Sequence, residues 1–230
     1  KNGGLYDKFR NRLMLPVIDT RGDVVAFGSR VLDKSEPKYM NSSETPVYSK
    51  RRVLYGLNLA KKSKRPNIIL CEGNLDIVTL HQAGFDNAVA SMGTALTVEQ
   101  TRLLSRFTKE LVLCYDNDNA GKIATERALQ ILNGSEFSVK VLQLPRRLVD
   151  GEYIKQDADD FIKFQGPDAF ERLLNGSENG VEFRMAQIAG KYDLKDDEAR
   201  IAYCGEVSEL LASLPGAVER EIYTGRAAEA

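Results

Sequence analysis

The chain has 230 residues, of which 43% are hydrophobic and 28% are charged, and its net charge is −1. This length and apolar content allow one large or two small domains with a hydrophobic core, and they exclude a disordered chain as the default. The balanced charge excludes a globally basic surface, so any nucleic-acid binding must come from local clusters of lysine and arginine. Residues 1–65 carry such an excess.

The sequence also argues against a membrane protein and against a zinc-binding site. No stretch approaches 18 consecutive apolar residues and no leader pattern is present, so we expect no membrane partner and a cytoplasmic location. Cys71, Cys114 and Cys204 are widely spaced without a C-x-x-C pair, and His81 is the only histidine, so no zinc is expected. Cys71 and Cys114 lie inside apolar runs and are predicted to be core residues.

The first predicted elements are two short extended segments. Residues 15–19 and 24–27 flank the turn-forming cluster Thr20-Arg21-Gly22-Asp23, which predicts a hairpin. Residues 33–52 are polar, contain two prolines and become basic toward their end, so a loop-rich connection is predicted there. A short helix is predicted over residues 54–62.

From residue 67 onward, strands and helices alternate. Short apolar runs predict strands over residues 67–71, 87–91, 111–115 and 138–144. Helices are predicted over residues 75–83, 97–106 and 120–132, the second of them with Thr97 as its N-cap. This alternation is typical of βαβ units, so we predict one compact α/β domain with a parallel sheet.

The remainder is predicted to be irregular and then helical. Residues 146–157 are polar and show no periodicity. Further on, apolar residues at three-and-four spacing predict one helix face, formed by Ile201, Cys204, Val207, Leu210, Leu211 and Leu214. The predicted organisation is an N-terminal subdomain over residues 1–66, an α/β domain over residues 67–160 and a C-terminal helical subdomain over residues 161–230.

Carboxylates stand at the ends of the predicted strands. Glu72 directly follows the first strand of the α/β domain, and Asp116 and Asp118 follow the third. Asp76 lies four residues after Glu72, in the first turn of the next helix, so both carboxylates can reach one site. Ligands gather at the carboxyl ends of parallel strands, and converging acids repel one another unless a cation lies between them. The pattern therefore predicts a divalent-metal site.

A third acidic group, Asp157-Ala158-Asp159-Asp160, follows the last strand after a loop. Any one aspartate of this kind is commonly a turn former or a helix N-cap. Three carboxylate groups separated by whole βα units instead match the oxygen ligands that Mg²⁺ needs beside a phosphate-bearing substrate. The D-x-D spacing also predicts that Asp116 and Asp118 share one face if their strand continues. Gly121 opens the next helix, whose N-terminus favours phosphate.

The same segments carry a family resemblance. The acid-bearing ones are Glu72-Gly73-x-x-Asp76, Ala90-Ser91-Met92-Gly93-Thr94, Asp116-x-Asp118-x-Ala120-Gly121 and Asp157-x-Asp159. They resemble the Toprim domain of DnaG-type bacterial primases. Upstream, three segments resemble that family's basic, template-facing subdomain: Phe27-Gly28-Ser29-Arg30, Lys38-Tyr39-Met40-Asn41-Ser42 and Leu54-Tyr55-Gly56-Leu57. The acid pattern alone also fits topoisomerases and small Toprim nucleases, whereas the Lys38-Tyr39-x-Asn41-Ser42 and Leu54-Tyr55-Gly56-Leu57 segments are specific to primases.

The resemblance implies a fold and residue roles. The fold is a Toprim-type, mostly parallel sheet flanked by helices, with a small mixed, partial N-terminal basic subdomain and a C-terminal helical subdomain. The central catalytic and metal-binding carboxylates would be Glu72, Asp116 and Asp118, with Asp76, Asp157 and Asp159 supporting them or binding further metal. The implied cofactor is Mg²⁺, with Mn²⁺ as the other possibility. The residues that would contact nucleotide phosphates or template are Arg30, Lys38, Lys50, Lys8, Arg10, Arg12 and Asn41.

The chain departs from the family pattern at positions that leave the acids in place. Asn74-Leu75 stands where the family has an aromatic residue and Met, Asn117 stands where it has Gly, and Ala158 stands where it has Pro. The segment between Pro145 and Asp157 is also longer than in the family.

The function implied is the catalytic core of a replicative primase, a DNA-dependent RNA polymerase that makes short RNA primers by two-metal nucleotidyl transfer. Its expected partners are a single-stranded DNA template and ribonucleoside triphosphates. We expect the replicative helicase and the single-stranded DNA-binding protein to act through parts of the full-length protein absent here, since the zinc-binding and helicase-binding domains of the family are not expected in this chain. Two alternatives stay open: a Toprim nuclease or topoisomerase fragment, and a non-catalytic nucleic-acid- or helicase-binding module whose acids hold a structural metal.

Overall fold

A computed structural model of the chain describes residues 6–228. The strands are β1 (Arg12–Ile18), β2 (Val24–Val31), β3 (Tyr39–Asn41), β4 (Asn67–Cys71), β5 (Ala88–Ala90), β6 (Glu110–Leu113), β7 (Ser138–Val141), β8 (Arg147–Val149), β9 (Glu152–Ile154) and β10 (Glu178–Asn179). The helices are α1 (Leu57–Ala60), α2 (Asn74–Gln82), α3 (Val98–Leu104), α4 (Asn119–Leu132), α5 (Ala158–Gln165), α6 (Pro167–Asn175), α7 (Gly180–Ala189), α8 (Asp197–Ala212) and α9 (Ala217–Ala228). Within residues 6–228, no helix combines the length and the apolarity that a membrane crossing requires.

The central sheet has the strand order β10-β7-β6-β4-β5. Strands β4 to β7 pair in parallel, and β10 adds an antiparallel edge. Ile68 and Leu70 enter one core with α3 and α4, whereas Ile69 and Cys71 enter a second core with α2, α5 and α6. Because both faces are covered, the central strands β4 and β6 are mostly apolar, and each fully buried aliphatic side chain contributes about 1.5–3 kcal/mol. The prediction of a mostly parallel α/β sheet is confirmed, as is the burial of Cys71 and Cys114.

The N-terminal strands form a separate antiparallel sheet in the order β1-β2-β3. The predicted hairpin is present, and its strands extend beyond the predicted residues. The Asp19 carboxylate closes its turn by accepting hydrogen bonds from the backbone N–H groups of Arg21, Gly22 and Asp23. Strand β3 lies where only a loop was predicted, because three residues are too few to show a strand period.

Helix α3 begins with the predicted N-cap. The Thr97 hydroxyl accepts a hydrogen bond from the Gln100 N–H, and the Gln100 side chain accepts one from the Thr97 N–H, which is a capping box. Gln100 is fully buried, and its amide also donates to the carbonyl groups of Lys50 and Val53. The start of α3 therefore holds the basic loop around Lys50 in place.

A hairpin, β8–β9, occupies residues 146–157, which were predicted to be irregular. Val149 pairs with Glu152 across a two-residue loop. Asp150 and Gly151 in that loop have φ angles of 50° and 86°, and two successive positive φ angles are typical of a type I′ turn. The prediction was wrong here, although the Asp-Gly pair is the strongest short sequence signal for this turn.

Helices α7, α8 and α9 pack around an apolar cluster of their own. The predicted buried face of α8 is right from Val207 to Leu214 and wrong at its start. Ile201 is 73% exposed and Cys204 is also exposed, while Tyr203 is buried. Tyr203 lies four residues before Val207, so the helical spacing continues through an aromatic residue that the aliphatic pattern skipped.

Candidate active site

Glu72 and Asp116 meet at the carboxyl edge of the central sheet. Strands β4 and β6 are parallel neighbours with Leu70 opposite Leu113, so the residues that follow them leave the sheet at the same edge. The Cys114 N–H continues the pairing by donating to the Leu70 carbonyl at 2.9 Å. The Asp116 N–H then donates to Glu72 Oε1 at 3.3 Å. The first two predicted acids are therefore in contact.

Asp118 reaches this edge as a helix N-cap and not as a strand residue. Its carboxylate accepts a hydrogen bond from the Gly121 N–H at 2.9 Å at the start of α4. The strand does not continue through Asp116 and Asp118, because β6 ends at Leu113, so the condition for the two side chains to share a strand face is not met. The start of α4 folds back closely on the loop that carries Asp116. A Cβ at Gly121 would lie only 1.9 Å from the Asp116 carbonyl oxygen. Only glycine fits there.

Asp76 is the most buried of the acids, with 7% of its surface exposed. Its two oxygens accept hydrogen bonds from the Gly73 N–H at 3.1 Å and from the Asp159 N–H at 3.2 Å. Burial, with the charge of Asp157 next in effect, raises the pKa of Asp76 to about 7. The carboxylate thus joins the Glu72 segment to the third acidic group.

The third acidic group lies at the start of α5. Asp157 caps this helix by accepting a hydrogen bond from the Asp160 N–H at 2.8 Å. Carboxylate oxygens of Asp157, Asp159 and Asp160 all lie within 4.8 Å of one another, the single group of three this tight among residues 6–228. Asp159 also accepts hydrogen bonds from Thr79 and Lys163.

Electrostatic effects tie the acids into one cluster. Burial raises the pKa of Glu72, and the charge of Asp116 raises it further. Burial likewise raises the pKa of Asp116, with the charge of Asp157 also acting to raise it. The pKa of Asp118 is lowered instead, first by its hydrogen bond from Lys155. The charges of the acids therefore repel one another across the sheet edge, and a cation there would relieve the repulsion.

Lys155 is a cation that sequence reasoning missed. It directly follows β9, and its Nζ lies 2.8 Å from Asp118 Oδ2 and 3.6 Å from Asp116 Oδ2. These contacts, led by the hydrogen bond to Asp118, raise the pKa of Lys155. No periodicity or motif marks a single lysine before Gln156, so only the hairpin geometry reveals its position.

The residues fit a hard divalent cation. All donors at the edge are carboxylate oxygens, the ligands that Mg²⁺ and Mn²⁺ prefer. The two nearby thiols, Cys71 and Cys114, are buried in the core beneath and do not join the donor set. Raised pKa values at Glu72, Asp76 and Asp116 are the expected mark of carboxylates assembled to share a positive charge.

One face of the N-terminal sheet abuts this edge. Gly28 pairs with Asn41 and Arg30 pairs with Tyr39, so these residues share that face. A Cβ at Gly28 would lie 2.6 Å from Nδ2 of Asn74, which follows Glu72 and Gly73. Asn41 also donates a hydrogen bond to the Met92 carbonyl at 3.3 Å in the loop after β5. The predicted Arg30 and Asn41 are thereby placed beside the acidic edge.

The other predicted basic residues are spread around this sheet. Lys38 is exposed, with its Nζ 5.5 Å from the centre of the Tyr39 ring. Lys8 donates to the Ser43 hydroxyl at 3.0 Å, and Arg10 is exposed. Arg12 is partly engaged within the sheet, since its guanidinium donates to the Pro37 carbonyl at 2.9 Å.

Glu72 also lines a cleft of about 300 Å³. Its walls come from the loop after β5 and from the start of α4, and they are lined by Glu72, Ser91, Gly93, Thr94, Tyr115, Ala120 and Arg127 among others. The Thr94 hydroxyl is shielded from solvent and has no hydrogen-bond partner within the protein. The cleft therefore offers an acid, a cation and an unused hydroxyl within one concave surface.

Three family models match the chain. The one described as Toprim-like matches residues 69–162, and the one described as the DNA primase catalytic core, N-terminal domain, matches residues 1–61. A third, described as the DnaB-helicase binding domain of primase, matches residues 181–230. The expectation that no helicase-binding domain is present was therefore wrong, because this match covers α7, α8 and α9.

Curated relatives and solved structures agree with these matches. A DNA primase of Clostridium acetobutylicum is 42% identical over 224 residues, covering 97% of this chain and 36% of the relative, so the chain spans about a third of that protein. A structure of the DnaG primase catalytic domain bound to ssDNA is 33% identical, with a TM-score of 0.82, over 100% of this chain and 74% of the other. A DNA primase domain from Pseudomonas aeruginosa is 35% identical, with a TM-score of 0.82, over 99% and 70%.

Proposed function

Because this chain belongs to the DnaG-type bacterial primase family, we propose that it is the RNA-polymerising core of a replicative DNA primase. It would extend RNA on single-stranded DNA by transferring nucleotides from ribonucleoside triphosphates. One observation carries the proposal: the acids of three βα units gather at one sheet edge, and the basic N-terminal sheet packs directly against it through Gly28 and Asn74. The basic residues proposed to bind phosphate and the acids proposed to bind metal would thus border the same space.

The carboxylates are proposed to hold the cofactor. Glu72, Asp116 and Asp118 would bind a divalent cation, and Asp76, Asp157 and Asp159 would bind a second or orient the first. Such cations neutralise a triphosphate and lower the pKa of an attacking hydroxyl. The contribution of the chain is orientation, because the N-cap bond of Asp118 and the two hydrogen bonds to Asp76 fix these carboxylates before any ligand arrives. Mg²⁺ is the proposed ion, with Mn²⁺ as a substitute.

The basic residues are proposed to hold the nucleic acid and the triphosphate. Arg30 lies on the sheet face that abuts the acids, so it is placed for phosphate near the reacting centre. Lys38 is exposed just before β3, and the Lys8 ammonium contacts the Ser43 hydroxyl just after this strand. Lys50, Arg10 and Arg12 are proposed to add to the same basic surface. Contacts of this kind with phosphates position a strand without reading its sequence. The cleft beside Glu72 is proposed to receive part of the incoming nucleotide, with Arg127 as a phosphate contact.

Helices α7, α8 and α9 are proposed to be the side of the chain that meets the replicative helicase. The family model over residues 181–230 supports this proposal. The apolar cluster of these helices is built around Tyr203, Val207 and Leu211, so they can keep their shape while presenting an exposed surface. Ile201, Val218 and Ile222 are exposed on that surface.

The proposal is tested by primer extension, which avoids the slower step of starting a strand. A short RNA annealed to single-stranded DNA is incubated with the protein, ribonucleotides and Mn²⁺ or Mg²⁺. We expect the wild-type chain to extend the RNA and Asp116→Ala to lose extension at least 10³-fold, with template binding retained. Asp168→Ala removes an exposed aspartate in the first turn of α6 and is expected to leave extension unchanged.

Two outcomes would contradict the proposal. If the wild-type protein bound template and nucleotides but never added a nucleotide, the chain would be a binding module. If it instead cut DNA or RNA without added nucleotides, and Asp116→Ala abolished the cutting, the acids would serve a nuclease.

A further inference from the structure

The β8–β9 hairpin places a lysine on the two aspartates that are proposed to bind metal. Lys155 Nζ lies 2.8 Å from Asp118 Oδ2 and 3.6 Å from Asp116 Oδ2. The ammonium therefore lies between two of the carboxylates that are proposed to bind a divalent cation. Among residues 6–228, Lys155 is the one basic residue that pairs with either aspartate.

The hairpin that carries this lysine is anchored on both sides. Next to Lys155, the buried Gln156 side chain donates to the Pro145 carbonyl at 2.6 Å, which closes the base of the hairpin. On the first strand, the Arg147 guanidinium lies 3.5 Å from the centre of the Phe164 ring on α5. The type I′ turn fixes the register between these anchors. Lys155 is thus held at the acids by the backbone around it.

The loop that carries Asp116 and Asp118 is tied to the base of the same hairpin. The Asn117 side chain, between the two aspartates, donates to the Leu144 carbonyl at 3.1 Å. Leu144 immediately precedes Pro145, so the loop of the aspartates and the base of the hairpin are tied to one short stretch of chain. The distance between the ammonium and the aspartates is therefore set by local structure.

A simple surface ion pair is the other explanation, and Lys155 is 57% exposed. Exposed pairs usually contribute little to stability, because solvent screens them and the long side chain loses freedom. Competition with a metal does not depend on that small net stability. A divalent ion and an ammonium drawn to the same carboxylates repel each other at short distance, so each weakens binding of the other.

We propose that Lys155 is a resident competitor for the divalent cation, which weakens metal binding at Asp116 and Asp118 until the ammonium moves away. The inference rests on the proposed function, since it concerns the same metal site. It makes metal occupancy depend on the position of the Lys155 side chain. A nucleotide that brings its own metal and also offers phosphates to the ammonium would displace the lysine more readily than the free ion does.

The test measures binding of Mn²⁺ alone by electron paramagnetic resonance at fixed pH and salt. Lys155→Met keeps the length of the side chain and removes its charge, so we expect Mn²⁺ to bind about tenfold more tightly than to the wild type. Lys155→Arg keeps the charge and is expected to bind like the wild type. Lys191→Met removes an equally exposed lysine that pairs with Glu206 and is expected to have no effect.

Asp116→Asn separates failure of the inference from failure of the proposed function. If the wild type binds Mn²⁺, Asp116→Asn loses it and Lys155→Met binds no more tightly, the inference is wrong while the metal site stands. If neither the wild type nor Lys155→Met binds Mn²⁺, both are wrong. Coincident thermal unfolding curves of the lysine variants would show that the comparison concerns folded protein.

Discussion

Gly121 provides the sharpest test of how the acidic loop is built. A Cβ at this position would lie 1.9 Å from the Asp116 carbonyl oxygen and 2.8 Å from its carbonyl carbon. Since Cβ atoms rarely approach other heavy atoms closer than 3.0 Å, Gly121→Ala requires a displacement of about 1 Å between the start of α4 and the loop. Both contacts are backbone atoms, so no flexible side chain can move aside.

We expect Gly121→Ala to lower the free energy of unfolding by about 1–3 kcal/mol. Alanine within a helix normally gains up to about 1 kcal/mol over glycine, whereas overpacking of this kind costs about 1–3 kcal/mol and sometimes more. Loss of the Asp118 cap, which depends on the Gly121 N–H, adds about 1 kcal/mol. The same displacement moves Asp116 and Asp118 apart, so divalent-metal affinity should fall at least tenfold.

Urea denaturation and Mn²⁺ titration measure the two effects. Gly205→Ala is the matched control, because a Cβ at Gly205 in α8 meets no atom within 4 Å and should raise stability by about 0.4–1 kcal/mol. The account of the loop would be refuted if Gly121→Ala were as stable as Gly205→Ala and bound Mn²⁺ like the wild type.

Three further predictions concern the buried acid, the core and the basic sheet. The pKa of Asp76 is raised to about 7 from about 3.9 in the unfolded chain, so its favourable contribution is full below pH 4 and is lost as pH rises through 7. In EDTA, wild-type stability should therefore fall between pH 4 and 8 by up to about 4 kcal/mol more than that of Asp76→Asn; equal slopes in urea denaturation would contradict this. Phe170 is fully buried against Phe85 at 4.8 Å, and Phe170→Ala should cost about 3–5 kcal/mol by calorimetry, whereas a loss below 1 kcal/mol would argue against this packing. Arg30→Ala should reduce the salt dependence of single-stranded DNA binding by about 0.7 in log–log slope, and an unchanged slope would remove Arg30 from the phosphate contacts.

The sheet and its acidic edge could be predicted from sequence because their signals are local. The two central strands, β4 and β6, are short apolar runs, and carboxylates follow them at Glu72 and Asp116. The parallel alternation then brings these ends to one edge, whatever the details of the helices between them. The positions of individual acids followed from this rule, but their local conformations did not, as the N-cap role of Asp118 shows.

The elements that the sequence analysis missed are those whose signals are short or depend on tertiary contacts. Strand β3 has three residues and is held by its pairing with β2. The β8–β9 hairpin was overlooked because its strands are exposed and lack an apolar face, although the Asp150-Gly151 turn was visible. The contact between Lys155 and the aspartates joins residues 37 positions apart, which no periodicity encodes.

The N-terminal contact with the acids could not be derived from spacing either. Gly28 lies in the N-terminal sheet and Asn74 begins helix α2 beside the central sheet, so their approach depends on how the two sheets pack. The family resemblance pointed to Arg30 and Asn41, while the structure supplied the reason: the missing side chain at Gly28 lets the Asn74 segment come close.

The measurement that most directly tests the account is a crystal structure of the chain soaked with Mn²⁺ and a ribonucleoside triphosphate, using the anomalous signal of the metal. The account predicts a peak that bridges a Glu72 oxygen with one of Asp116 or Asp118, with Lys155 displaced from both aspartates. A nucleotide bound with no metal on these residues, or a metal held only by Asp157, Asp159 and Asp160, would contradict the assignment of Glu72, Asp116 and Asp118 as the catalytic carboxylates.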